Sequence, residues 1–313
     1  MTRKQFLTVS LRATTRTTAA EGDRVVVVRF DPPGSWRSDS TALNRALSAA
    51  AAALHPAGSE AFWRDVFRPT DTVGLKANCV AKALSTHAEV VSGVVRALDS
   101  AGVARDRVIV FDRSVTELRS HGRYRPGSRS DGVRYWGCRE APLQPRYVSM
   151  TAGDVQFGVS AIVATACTAL VNLPVVKHHA MTGLTLSLKN WYGALERPLL
   201  CHGFDRTCDP YIALLNGLPA VKSKVRLVVA DALVVMCDGG PYGPGVQWEC
   251  GRLIVGWNPV AVDVVGLRIL NDGRRKHGLQ ALPMPGYLRS AIRGVGGLDP
   301  VDTRRLEVVE VAV

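Results

Sequence analysis

The chain has 313 residues, 47% of them hydrophobic, and a formal net charge of +12 at pH 7. That is enough apolar material for one large or two modest domains with a substantial core, and nothing suggests disorder beyond the ends. The positive balance invites nucleic acid, but the arginines are scattered and no aromatic-interleaved basic array or nucleic-acid motif accompanies them, so no nucleic-acid partner is expected.

At the N-terminus, Arg3-Lys4 before Phe6-Leu7 has the look of a twin-arginine export signal, yet Arg12 and Arg16 break the apolar stretch of roughly 7–15 residues that such a signal needs. Residues 1–20 are therefore expected to be an irregular arm on a cytoplasmic protein, followed by a single α/β domain over 21–313. No segment reaches the roughly 18 uncharged apolar residues of a membrane span, so no membrane partner is expected. Val25 to Phe30 reads as a strand, the Ala-rich run Thr41 to Leu54 as a helix, Val73 to Ala77 as a strand, Ala88 to Ala101 as a helix and Val108 to Phe111 as a strand. A loop-rich insertion is expected over residues 115–150, where Arg119, Arg123, Arg125, Arg129, Arg134 and Arg139 read as a solvated basic surface. Further on come a strand Thr168 to Leu173, helices Leu184 to Leu195 and Tyr211 to Leu218, and strands Val225 to Ala230 and Arg252 to Gly256. Asn258-Pro259, an N-cap followed by a first-turn proline, opens a helix to Leu270, and a last strand runs from Leu306 to Val313. This alternation predicts an α/β fold: a mixed, mostly parallel sheet with helices on both faces.

The seven cysteines contain no CxxC, which argues against a disulfide framework or a zinc ribbon and for small buried hydrophobes. Cys201-His202 with Cys208 is dense enough to suspect as a ligand set. Lysine usage is more telling. Only eight of the 39 basic residues are lysine, and two of them, Lys177 and Lys189, fall in one polar segment, Asn172 to Gly193, with His178, His179 and Asn190. A lysine is a compact charge that can lose its proton when buried, whereas a guanidinium stays charged.

Several predicted strands end in polar residues: Lys76 and Asn78, Asp112 and Arg113, Lys177 to His179, and Asp231. In a mostly parallel sheet such ends share one edge, where ligands bind. Lys177 and His179 are two apart and so share a face of an extended chain. His179 is a candidate for proton transfer or for metal binding. Asp263 lies on the apolar face of its helix and needs a partner, a lysine, a metal or backbone N–H groups; Lys76 or Lys189 is the expected one. Gly239 and Gly240, after Asp238, allow close approach of backbone to a ligand. No P-loop, GxGxxG, GxSxG or HExxH is present.

The segment VNLPVVKHHAMTGLTLSLKNWYG resembles the domain of unknown function 362 family. VGLKANC (Val73 to Cys79), THAEVVSGVVRAL (Thr86 to Leu98), RVIVFDRS (Arg107 to Ser114), VVADAL with a following GGP (Val228 to Pro241) and WNPVAVDVVG (Trp257 to Gly266) fall in the family's order, spanning residues 70–272. The resemblance implies roles for His179 and for His202, where relatives tend to have a histidine. Two departures stand out: the ferredoxin-like CxxCxxCxxxCP module of many relatives is absent, and Asn258 replaces their usual aspartate. The family's frequent company with iron–sulfur modules implies redox chemistry only indirectly.

The expected function is an enzyme acting on a small anionic or carbonyl-bearing metabolite, metal-assisted or redox-linked. Lys177, His179, Lys189, Asp231 and Asp263 are its catalytic candidates; Lys76, Asn78, Asn190, Gly239 and Gly240 would bind substrate. His179 and His202 would hold a divalent metal or iron if one is used, since no iron–sulfur motif is built in. A cofactor-independent isomerase or cyclase with a lysine base is the alternative, and a non-catalytic binding protein for an acidic metabolite is a third reading. The expected partner is a small anionic molecule, and a homo-oligomer is left open.

Overall fold

The computed structural model describes residues 23–39, 41–124, 132–204 and 206–313. The arm expected over 1–20, together with Arg125 and Arg129, lies outside them. In chain order the elements begin with β1 (Arg24–Arg29), α1 (Ala42–Leu54), α2 (Ser59–Val66), β2 (Val73–Lys76), α3 (Ala88–Ser100), β3 (Val108–Asp112), α4 (Val115–Ser120) and β4 (Arg134–Gly137). A hairpin of β5 (Tyr147–Ala152) and β6 (Val155–Ser160) precedes β7 (Ala169–Asn172), β8 (Val175–His179), β9 (Gly183–Thr185) and the one-turn α5 (Ser187–Asn190). The C-terminal part contains α6 (Tyr211–Gly217), α7 (Pro219–Lys222), β10 (Val225–Asp238), β11 (Val246–Gly256), α8 (Pro259–Lys276), α9 (Gly286–Ile292) and β12 (Glu307–Ala312).

Ten strands form one mixed sheet in the order β12-β1-β11-β10-β7-β2-β3-β4, with β8 and β9 attached to β10. The run β10-β7-β2-β3-β4 is parallel throughout, and only β11, against β1 and β10, and the short β9 pair antiparallel. Alternate residues of each strand enter different cores, as the two-residue period requires. Val26, Val28, Leu75, Val110, Val171 and Val229 pack with α1, α2 and α3. Val25, Val27, Ile109, Phe111, Leu170 and Val228 pack with α6, α8 and α9 on the other face. Because both faces are covered, the central strands are continuous apolar runs, and β2 and β3 are buried from end to end. The expected α/β architecture is the observed one.

Local differences have physical causes. The apolar stretch around Pro174 is split into β7 and β8, because proline has no N–H for a ladder; Lys177 to His179 consequently lie within β8 rather than beyond a strand end. The helix expected over 184–195 is broken up: β9 takes Gly183–Thr185, α5 lasts one turn, and Trp191–Ala194 tighten into a 3-10 helix. Asn258 caps α8 by accepting the Val260 amide at 2.9 Å, a role that aspartate could fill equally. Among the described residues no helix is long and apolar enough to cross a membrane.

Candidate functional site

Three parallel neighbours, β2, β3 and β7, end side by side on Lys76, Asp112 and Asn172. All three side chains are fully buried. The Lys76 ammonium donates to Asp112 Oδ1 at 2.6 Å, to the Ala77 carbonyl at 2.7 Å and to Asn190 Oδ1 at 3.2 Å, so its three protons are all satisfied. Asn190, at the end of α5, ties the strands together. Its oxygen accepts also from Asn78 Nδ2 at 2.9 Å, while its Nδ2 donates to the Lys76 carbonyl at 3.1 Å and to Asn172 Oδ1 at 2.7 Å. Asn172 in turn donates to the Ser187 carbonyl at 2.8 Å. Gly193 packs so closely on this network that an added Cβ would press into the Asp112 carboxylate and lie 2.8 Å from Lys76 Nζ. Gly193→Ala is therefore expected to destabilise the fold by about 1–3 kcal/mol, measurable as a lowered urea midpoint; an unchanged midpoint would mean the network yields freely.

Lys177 joins the same network through Asn78, donating to its Oδ1 at 2.6 Å and to the Leu84 carbonyl at 2.9 Å. Both acceptors are neutral. Burial pulls its ammonium down to about 8, against the weaker opposing pull of Cys79, Asp112 and Asp231. Lys189 is placed differently: its ammonium meets Cys208 Sγ at 3.3 Å and stands 4.4 Å from the centre of the Tyr192 ring. Burial lowers its pKa too, with Cys208 and Cys201 opposing. Lys76 and Lys177 thus meet around Asn78, whereas Lys189 belongs to a neighbouring cluster with Tyr192, Cys201 and Cys208.

His179 shares the buried side of β8 with Lys177, and His178 faces Asp238 instead. The Nδ1 of His179 accepts the amides of Met181 at 3.2 Å and Thr182 at 3.4 Å, which leaves the proton of the neutral ring on Nε2. Burial, and then the charge of Lys189, depress the ring to about 3. In this arrangement His179 is a neutral ring that carries its proton on Nε2. His202 donates from Nδ1 to the Pro198 carbonyl at 3.1 Å and sets its ring edge-on to Tyr192. Among the described residues no set of three His, Cys, Asp or Glu side chains is arranged to hold a metal.

The expected pairing of Asp263 with Lys76 or Lys189 is corrected: of the partners open to it, backbone N–H groups are the ones it meets. Asp263 accepts from the Ser187 amide at 2.8 Å, the Leu188 amide at 3.3 Å and the Ser187 hydroxyl, capping α5 from a distant helix. Asp231 sits where β10 shifts register and accepts from the backbone and ring of His87, at 2.9 and 2.7 Å, and from the Leu233 amide. Backbone, hydroxyl and imidazole donors satisfy the oxygens of these carboxyl groups where they stand, so neither reaches for an ammonium. Gly239 and Gly240 lie outside the lysine network: Gly239 has φ +71°, and Gly240 is pressed against the His178 carbonyl, with no room for a Cβ. Asp112, Asn172 and His87 were not among the expected site residues. The first two were visible as polar strand ends, whereas nothing local marks His87 as the partner of Asp231.

Residues 73–268 match a family model described as a domain of unknown function, DUF362. The chain belongs to this family. The matched DUF362 region includes every residue of the network just described. Comparison with curated proteins gives no match. A Thermotoga maritima crystal structure from the Northeast Structural Genomics Consortium is similar over 66% of this chain, with 12% identity and a TM-score of 0.36. The alignment spans about half, 54%, of that chain.

Proposed function

We propose that this chain is an enzyme acting on a small anionic or carbonyl-bearing metabolite, and that it works by proton transfer with a lysine base, as an isomerase or cyclase does. One observation carries this reading: Lys177 holds a buried ammonium group whose acceptors, Asn78 and the Leu84 carbonyl, are both neutral, and the buried Lys189 meets a cysteine sulfur, whereas Lys76 has a carboxylate. An uncompensated buried charge is expensive in folding terms, and such groups cluster where chemistry needs an amine that can be neutral near physiological pH. Lys189, adjoining Tyr192 and the 198–208 segment, would take the proton next to a carbonyl. The Nε2–H of His179 would polarise the carbonyl oxygen, and Lys177 would hold positive charge behind it. The seven cysteines, all free thiols, suit a reducing cytoplasmic setting.

Proton exchange provides the test. Incubated in D2O with a panel of 2-oxo and 3-oxo acids, the protein is expected to catalyse deuterium incorporation next to the carbonyl, followed by proton NMR. Lys189→Ala should slow it by about 100-fold or more. Because Lys189 acts when neutral and Lys177 when charged, the rate should climb with pH as Lys189 loses its proton and fall again as Lys177 loses its own near 8. Absence of exchange by the parent protein across the panel, or an undiminished rate in Lys189→Ala, would remove the lysine base. Stoichiometric iron or zinc in the purified protein would instead favour a metal-assisted or redox-linked reaction.

Titration of lysine 13Cε resonances tests the supporting observation. Lys177, assigned by its loss in Lys177→Ala, should titrate near 8. A midpoint near the ordinary lysine value of about 10.4 would contradict it.

A further inference from the structure

His87, the residue before α3, has its ring fixed on two sides. Its Nδ1 lies 2.7 Å from Oδ2 of the fully buried Asp231, and the Trp36 ring packs edge-on against it at 4.9 Å between centres. A carboxylate oxygen only accepts, so the proton of the neutral imidazole sits on Nδ1 and the lone pair on Nε2. Nε2 has no hydrogen-bond partner among the described residues; unlike the enclosed indole nitrogen of Trp36 it keeps contact with solvent, and 21% of the His87 side chain is exposed. A carboxylate behind one ring nitrogen and a free lone pair on the other make a general base. Burial disfavours a charge on this ring, but Asp231, by its charge and its hydrogen bond, and then Glu89 outweigh burial and the opposing Arg37, raising the pKa above the ordinary 6.5.

The ring lines a cavity of about 510 Å³ between the 3-10 turn Ser35–Arg37, the 82–89 segment and residues 121–123. Lys76, Lys177 and Lys189 do not line it. The hydroxyls of Ser85 and Thr86 in its wall donate to the Ala81 and Leu173 carbonyls, and among the described residues no cysteine lines it. Water is therefore the nucleophile that Nε2 has at hand. His121, also in the wall, places its Nδ1 2.7 Å from the Cys79 carbonyl, so of these two histidines only His87 has a carboxylate behind it. Lys82 and Arg123 are exposed and make no ion pair among the described residues, Arg37 is paired with Glu249, and Glu89 is the single acid of the described lining. That excess of positive charge suits an anionic substrate.

We propose that this cavity is a second catalytic site, which hydrolyses small esters carrying a carboxylate, with His87 as general base and Asp231 as its positioning residue. It does not depend on what the lysine cluster does. Nε2 takes a proton from water as the water oxygen bonds to the acyl carbon. The ester C–O bond then breaks, and the proton passes from Nε2 to the departing alcohol, so ester and water give acid and alcohol. Asp231 keeps the lone pair of His87 outward and balances the imidazolium while it holds the proton. The volume falls within the range of about 300–1,000 Å³ typical of small-molecule sites.

Hydrolysis of two probes by the full chain, the 4-nitrophenyl monoester of glutaric acid and the neutral 4-nitrophenyl acetate, tests this through release of nitrophenol. The charged ester is expected to be hydrolysed with a kcat/KM at least roughly fivefold higher, a preference that Lys82→Ala/Arg123→Ala, a change of two exposed side chains, should abolish through KM. His87→Gln should lower kcat by about 100-fold. The parent's rate should climb with pH as His87 loses its proton, half-way above 6.5, and Asp231→Asn should move that half-way point down as well as lower kcat. A purely structural Asp231 would leave the half-way point where it is, and that result overturns its positioning role. No release above buffer from either ester, or a parental rate in His87→Gln, overturns the site. Should His87→Gln fail to fold, a parent rate that does not change between about pH 5 and 8 overturns it equally. Equal kcat/KM for the two esters overturns the assignment to anionic substrates.

Discussion

Asp112→Ala is expected to destabilise the protein by about 3–5 kcal/mol, because it strands a buried ammonium group. Asp112 ends β3 with no exposed side-chain surface, and its oxygens accept from Lys76 Nζ at 2.6 Å and from the Cys79 amide. Without it, Lys76 keeps only the Ala77 carbonyl and Asn190 Oδ1, two neutral acceptors in a site that water does not reach. The Cys79 amide loses its acceptor as well. Asp112→Asn retains an oxygen for one of these donors and should fall between the parent and Asp112→Ala. Replacing the pair together, as Lys76→Met with Asp112→Leu, should recover much of the loss, since an apolar pair leaves no charge uncompensated. Urea denaturation of the four proteins measures these differences. An Asp112→Ala midpoint equal to the parent's would show that the pair contributes nothing to holding β2 against β3.

The second large effect is a pH dependence. Burial pushes the Asp263 carboxyl up to about 7, against the pull of its hydrogen bonds from Ser187 and Leu188. In the unfolded chain the same group titrates near 3.8. The folded state therefore holds its proton more tightly than the unfolded state does. This contribution to stability is fully present below pH 4 and is lost as pH rises through about 7, a fall on the order of 4 kcal/mol. Comparison with Asp263→Asn isolates the group, because the amide does not titrate. The stability difference between the two proteins should shift progressively against the parent between pH 4 and 7 and then level off. A difference that stays constant over that window would mean that Asp263 is ionised throughout, held by the α5 amides alone.

The lysine segment shows how far local pattern reaches. Lys76, Asn78 and Lys177 were legible as candidates because polar residues at the ends of apolar strands are visible without coordinates and parallel strands bring such ends to one edge, and Asn190 because it falls in the polar Asn172–Gly193 segment. The structure joins these four through hydrogen bonds. Lys189 was equally visible, but α5 turns its ammonium toward Cys208 and Tyr192. The sequence offers no signal for that, because α5 is one turn long and its direction is set by Asp263, 76 residues away.

By itself, then, the sequence determined the α/β alternation, the mostly parallel sheet and its two covered faces, since periods of two and 3.6 residues are properties of neighbouring positions. Partner choice among buried polar groups was decided only by tertiary structure: Asp112 rather than Asp263 for Lys76, His87 for Asp231, backbone amides rather than a lysine for Asp263. The physical reason is that a buried charge settles on whichever donors the packed helices and strands bring within about 3 Å, and that short distance depends on contacts far apart in the chain.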